Sequence, residues 1–102
     1  MSFSESPKKH LDAAIFAVEL AYQHRTLKEI DLHGRMPDDV EQDIDRFITD
    51  MSNAGENGCG IVCGTGTGAM KRRVQSLLRP YLNGIVGKVI DKGPILLVIF
   101  ER

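Results

Sequence analysis

Apolar positions recur along this chain at two spacings, and the spacing assigns the elements. Over residues 8–24, Leu11, Ala14, Ile15, Val18, Ala21 and Tyr22 share one helical face, with Phe16 and Leu20 roughly opposite. Over about 37–54, Val40, Ile44, Phe47, Ile48 and Met51 form a second stripe. Pro37, Asp38 and Asp39 suit its start, because proline fits the first turn and acids favour the positive end of the helix dipole. Over about 67–82, Met70, Val74, Leu77, Leu78 and Tyr81 form a third, and Pro80 predicts that regular helix stops near Arg79. Strands are predicted between them: a short one at 29–32, an apolar one at 59–63 bounded by glycine, and two more at 86–90 and 95–100. The last two flank Asp91-Lys92-Gly93-Pro94, a hairpin signal. The order is a helix followed by βαβαββ, an α/β (α+β two-layer) sandwich on a mixed sheet. Crossover helices make the early strands parallel, and the hairpin makes the last pair antiparallel.

Length and composition narrow the class. A chain of 102 residues allows one domain and leaves no room for a two-domain enzyme or a full doubly wound dinucleotide-binding domain. No apolar run approaches the ~20 residues of a membrane span, and the first residues do not read as a signal peptide. Two cysteines without such a signal predict reduced thiols in the cytoplasm. The net charge of -1 neither requires nor excludes nucleic acid; its distribution matters more. Asp38, Asp39, Glu41, Asp43 and Asp45 make the second helix acidic while the third is basic, so a phosphate polymer should favour the third-helix side.

The candidate chemistry sits where strands end, as ligand sites do in open α/β sheets. Strand alternation puts Asp31 and His33 on one side with Leu32 turned into the core, and Gly34 lets the chain leave sharply. An imidazole beside a carboxylate suits acid–base work or phosphate binding, the alternative being two ordinary loop-edge polar residues. The second strand ends in Cys63-Gly64-Thr65-Gly66-Thr67-Gly68, and a helix carrying Lys71, Arg72 and Arg73 follows. Alternate glycines before a helix free backbone N–H groups for a phosphate, and the three cations add charge, the alternative being a solvated helix face. Gly64-x-Gly66-x-x-Ala69 with Asp91 imitates a dinucleotide fingerprint, but a hairpin follows where a crossover helix is needed. Cys59 and Cys63 are too far apart on one strand for a disulfide and read as core or strand-end residues. No spacing completes a metal site. His10 and His24 have no partners in sequence and read as solvated.

The paired motifs, Asp31-Leu32-His33-Gly34 and about 30 residues later Gly64-x-Gly66-x-Gly68-Ala69 with a basic helix, resemble the small MutS-related (Smr) domain family. The resemblance covers roughly residues 29–100. It implies a two-layer α/β sandwich similar to the C-terminal domain of a bacterial translation initiation factor and, in part, to pancreatic deoxyribonuclease. It implies nucleic-acid binding and, as in several members, endonuclease action on DNA or RNA. Some members serve recombination control and others cleave messenger RNA on stalled ribosomes. It also implies an N-terminal extension, here residues 1–28, ahead of an Smr-like domain at 29–102.

Carried over by residue, the first motif is Asp31-Leu32-His33-Gly34, the second Cys63-Gly64-Thr65-Gly66, and the family's cation after the loop Lys71 or Arg72. With the glycine loop and basic cluster read above, Asp31 and His33 are the catalytic candidates, and Gly64, Thr65, Gly66, Thr67, Gly68, Lys71, Arg72 and Arg73 the phosphate-binding ones. His33 would shuttle a proton. Asp31 would orient it or, alternatively, help hold a divalent ion such as Mg2+. Two features depart from the family: Cys63 replaces the histidine of its His-Gly-x-Gly motif, and a four-residue turn, Asp91-Lys92-Gly93-Pro94, replaces a long glycine-rich loop. The expectation is an endonuclease, with a non-catalytic nucleic-acid-binding module or a protein-interaction domain as alternatives. Phe16 and Leu20 are expected to stay in water or to dock on another protein or a second copy. The unit from about residue 28 onward is expected to fold without the first helix.

Overall fold

A computed structural model describes the backbone of residues 5–101 and the side chains of residues 11–101. The side chain of His10, and residues 1–4 at the start of the chain, lie outside the described residues. In chain order the elements are α1 (Glu5–Gln23), β1 (Glu29–Asp31), a 3-10 turn (Pro37–Asp39), α2 (Glu41–Asn53), β2 (Gly58–Val62), α3 (Ala69–Leu78), a second 3-10 turn (Arg79–Tyr81), β3 (Val86–Asp91) and β4 (Ile95–Phe100). The strands form one mixed sheet in the order β1-β2-β4-β3. β1 runs parallel to β2, and β4 is antiparallel to both β2 and β3. The α+β class and the βαβαββ order expected from sequence are the observed ones.

Strand order explains the composition of β4. Ile-Leu-Leu-Val-Ile-Phe has no polar alternation because every residue of the strand is buried. Leu96, Val98 and Phe100 pack with Cys59 and Ile61 against Ile44 and Ile48 of α2 and Met70, Val74 and Leu78 of α3. Ile95, Leu97 and Ile99 pack on the opposite face against Val18, with Leu11, Ala14, Ile15 and Tyr22 of α1 around them. Helix α1 is therefore a cover for the second face of the sheet. A strand covered on both sides reads as a continuous apolar run. Gly58 is part of the same fit: a Cβ there would lie 2.5 Å from Val18 Cγ2 and run into the Val98 carbonyl oxygen. Phe16 and Leu20 point the other way, 69% and 44% exposed.

The helix boundaries move for local reasons. The stripe expected to start at Pro37 begins as a 3-10 turn closed by a bond from Asp39 N–H to the Met36 carbonyl, and fully buried Val40 marks the change to α-helix. Regular helix in α3 ends at Leu78, where Pro80, which has no N–H, forces the tighter turn. Thr67 and Gly68, placed by the stripe inside the third helix, stay in the loop; Gly68 has a left-handed φ of 84° and caps α3. Among the described residues no helix is long and apolar enough to cross a membrane.

Candidate functional site

Parallel pairing of β1 with β2 brings their C-terminal ends out side by side, and each end carries one of the two sequence motifs. Leu32 is fully buried and anchors the first loop. Asp31 and His33 flank it on the outside, their side chains 57% and 70% exposed. One Asp31 oxygen, Oδ1, accepts from the His33 backbone N–H at 3.0 Å and sits 2.7 Å from His33 Nδ1. These bonds to His33 hold the Asp31 carboxyl below its ordinary value of 3.8. An ionised Asp31 can only accept, so His33 donates from Nδ1–H to it, and the ring nitrogen left for chemistry is Nε2.

The second loop starts against the first. Gly64 has φ +81°, and a Cβ on it would come within 3.0 Å of His33 Cβ, so only glycine lets the two loops meet here. The N–H groups of Cys63 and Gly64 both donate to the Pro94 carbonyl, at 2.8 and 3.1 Å. Gly64 therefore serves the β3–β4 turn, and its amide is not among those free for a ligand. The amides of Thr65, Gly66, Thr67 and Gly68 have no hydrogen-bond partner among the described residues. With left-handed φ at Gly64, Gly66 and Gly68, this stretch is a concavity of backbone donors suited to an anion.

The three cations after the loop diverge, as successive positions of a helix must. Lys71 Nζ reaches both carboxylate oxygens of Asp91 at 2.9 and 3.1 Å, and this contact holds the Asp91 carboxyl below its ordinary range. Arg72 folds back over the loop and donates from Nη1 to the Thr67 carbonyl at 3.3 Å; it has no carboxylate partner among the described residues. Arg73 turns towards α2, donating to the Pro37 carbonyl at 3.3 Å and to Glu41 at 3.4 Å. The structure thus brings Lys71 and Arg72 to the glycine loop and gives Arg73 a bracing position.

Between the two loops lies a groove of about 220 Å³, with Gly34, Arg35 and Pro37 on one wall and Gly64, Thr65, Thr67, Gly68 and Lys71 on the other; Asp31, His33, Gly66 and Arg72 are not part of its lining. No aromatic side chain lines it. Arg35 escaped the sequence reading; the signal was a cation next to the first motif with Asp39 and Asp43 four and eight residues on. Its Nη2 donates to Asp43 Oδ2 at 2.8 Å and to the Asp39 carbonyl at 3.2 Å. A larger cavity of about 620 Å³ between α2 and α3 holds none of the candidate residues. At its rim the Tyr81 hydroxyl donates to Asp45, which pushes the phenol up to about 12.

Cys63, at the position of the family's histidine, is 5% exposed, and its thiol lies 3.7 Å from the Ile61 carbonyl. Burial raises the Cys63 thiol and pushes Cys59 up to about 12, so neither offers a thiolate. Both are free core thiols, as their spacing predicted. The described residues offer no all-protein cage for a divalent ion; a single carboxylate, Asp31, stands at the site. Its Oδ1 is engaged by His33, and no cluster of three or more His, Cys, Asp or Glu side chains able to hold a metal occurs among the described residues.

The family model of the Smr domain matches residues 30–89. Endonuclease MutS2 of Lactobacillus helveticus (strain DPC 4571) is 36% identical over 73 residues, which are 72% of this chain and 9% of that protein. The chain thus spans a small fraction of the length of the curated relative it matches. The crystal structure of the Smr domain of Thermus thermophilus MutS2 superposes with a TM-score of 0.67 at 21% identity, over 74% of this chain and 100% of the solved one. That likeness is one of fold.

Proposed function

The chain belongs to the Smr domain family, and from that premise we propose that it binds nucleic acid through the groove between its two motif loops and cleaves the phosphodiester backbone there. The observation that carries this reading is the contact of the loops at His33 and Gly64. It sets the His33 loop against the start of the glycine loop, whose amides at residues 65–68 have no partner among the described residues and over which Arg72 folds. His33 Nε2 would take the proton of the attacking hydroxyl, water or a ribose 2′-OH, and return it to the leaving oxygen. The amides of residues 65–68, with Lys71 and Arg72, would stabilise the charge that develops on the phosphate. The endonuclease named among the relatives supports the reaction class.

The buried Cys63 favours a second reading, a non-catalytic nucleic-acid-binding module on the same surface. The deciding experiment incubates the purified chain with labelled single-stranded RNA, duplex DNA and branched DNA, with and without magnesium. Cleavage of any of them supports the nuclease. Retention of all three intact supports the module, and no binding at all overturns both.

Lys71→Ala/Arg72→Ala is expected to flatten the plot of log affinity against log salt by about two units, with little change in the unfolding midpoint. A loss of about one unit would mean that Lys71 stays on Asp91 in the complex. An unchanged slope would put the binding surface elsewhere.

The proposed division of the chain is an extension over residues 1–28 and an Smr-like domain over 29–102, which the family match to 30–89 supports. Two free, buried thiols fit a reducing cytoplasmic setting. The exposed Phe16 and Leu20 support a separate contact, with a protein partner or a second copy. Phe16→Ser/Leu20→Ser should then lower the solution mass or abolish partner capture without unfolding the chain; unchanged mass and capture would end that reading.

A further inference from the structure

We propose that Arg35 is a phosphate-contacting residue, gripping a nucleic-acid strand from the wall of the groove opposite Lys71. The inference rests on the nucleic-acid-binding reading and adds to it a residue outside both motifs. Arg35 follows Gly34 directly, and its loop and the glycine loop form the two sides of the groove. Its guanidinium is held from behind: both of its bonds, to Asp43 and to the Asp39 carbonyl, use Nη2. Nε and Nη1 have no partner among the described residues, so three of the five N–H donors remain for an oxygen acceptor.

Lys71 is built the same way. It too lines the groove, and it too is fixed by a carboxylate, Asp91, that does not. Two cations tethered on opposite walls lose little side-chain freedom when a ligand arrives between them. Each is already balanced by its own carboxylate, so they act at contact range, and Arg72 supplies the uncompensated charge.

The ligand class follows from the walls. The groove is smaller than the ~300 Å³ at which pockets begin to enclose small ligands, and it has no aromatic surface on which a base could stack. Backbone amides, a threonine hydroxyl and two anchored cations suit the phosphates of a polymer whose bases stay outside.

The alternative for Arg35 is a brace that ties its loop to α2 through Asp43. The test uses the full chain with labelled single-stranded RNA and duplex DNA, titrated across salt, for Arg35→Ala, Arg35→Lys and Asp43→Asn. The proposal expects Arg35→Ala to flatten the salt slope by about 0.9 units, and Arg35→Lys and Asp43→Asn to keep the wild-type slope. A brace instead lowers thermal stability equally in Arg35→Ala and Asp43→Asn and leaves every slope unchanged. Wild-type binding with an unaltered slope in Arg35→Ala overturns the Arg35 assignment alone. Failure of the wild type to bind either probe overturns the assignment together with the reading beneath it.

Discussion

Replacing His33 with alanine is expected to slow strand cleavage by roughly 10²–10⁴-fold while leaving binding nearly intact. His33 projects from a loop held by Leu32, which is fully buried, so its side chain has no part in the core. What it contributes is a ring nitrogen in a fixed place. Asp31 sets that place by bonding the His33 backbone and Nδ1 with the same oxygen. Asp31→Asn should therefore also lower cleavage, because an amide does not stabilise the imidazolium that forms on proton uptake. Its effect on binding should be a slight gain, since a negative charge beside the phosphate is removed. The folded state depresses the Asp31 carboxyl, so its contribution to stability is present above 3.8 and is lost as pH falls through the lower folded value. At neutral pH the pair is intact. A His33→Ala chain that cleaves at the wild-type rate would remove His33 from the chemistry. Undiminished binding in that variant, with no cleavage by the wild type on any substrate, would identify the chain as a binding module.

The parts of this site that were legible in the sequence are those fixed by local period. Strand alternation alone placed Asp31 and His33 outside and Leu32 inside, and the structure has them so. Glycine spacing located the anion-binding loop. What local period does not carry is which loops become neighbours. Arg35 gains its place only because β1 lies beside β2 and because α2 brings Asp43 to its guanidinium. Asp91, twenty residues from Lys71, resembled the acid of a dinucleotide fingerprint and instead neutralises that lysine. The Pro94 carbonyl occupies the Gly64 amide, which the sequence offered to a ligand. Arg73 was distinguishable in principle, since successive helix positions face about 100° apart. In the sheet, the hairpin was readable from its turn, but the insertion of β4 between β2 and β3 was not. The unbroken apolar run of β4 was its one trace.

That same run leads to the largest expected effect on stability. Removing residues 1–24 should leave a chain that no longer unfolds cooperatively and that aggregates, although the family match begins only at residue 30. The sequence alone suggested the opposite, because the βαβαββ unit has stripes of its own on α2 and α3. Those stripes cover one face of the sheet. The other face presents Ile95, Leu97 and Ile99, all buried beneath α1 with Val18 at the centre of the contact. Burial of a large aliphatic side chain is worth about 1.5–3 kcal/mol, so uncovering the three costs roughly 5–9 kcal/mol. A domain of this size is stable by only about 5–15 kcal/mol in total. The family match starts after this helix, and it is the apolar second face of this chain's sheet that calls for it. A point substitution probes the same contact without truncation. In Gly58→Ala the new methyl meets the Val98 carbonyl oxygen, which is backbone and cannot turn aside, and presses on Val18. A loss of about 1–3 kcal/mol or more is expected from such overpacking, read as a lowered midpoint in thermal or denaturant unfolding. A truncated chain that unfolds in one sharp transition near the full-length midpoint would show that α1 is an appendage.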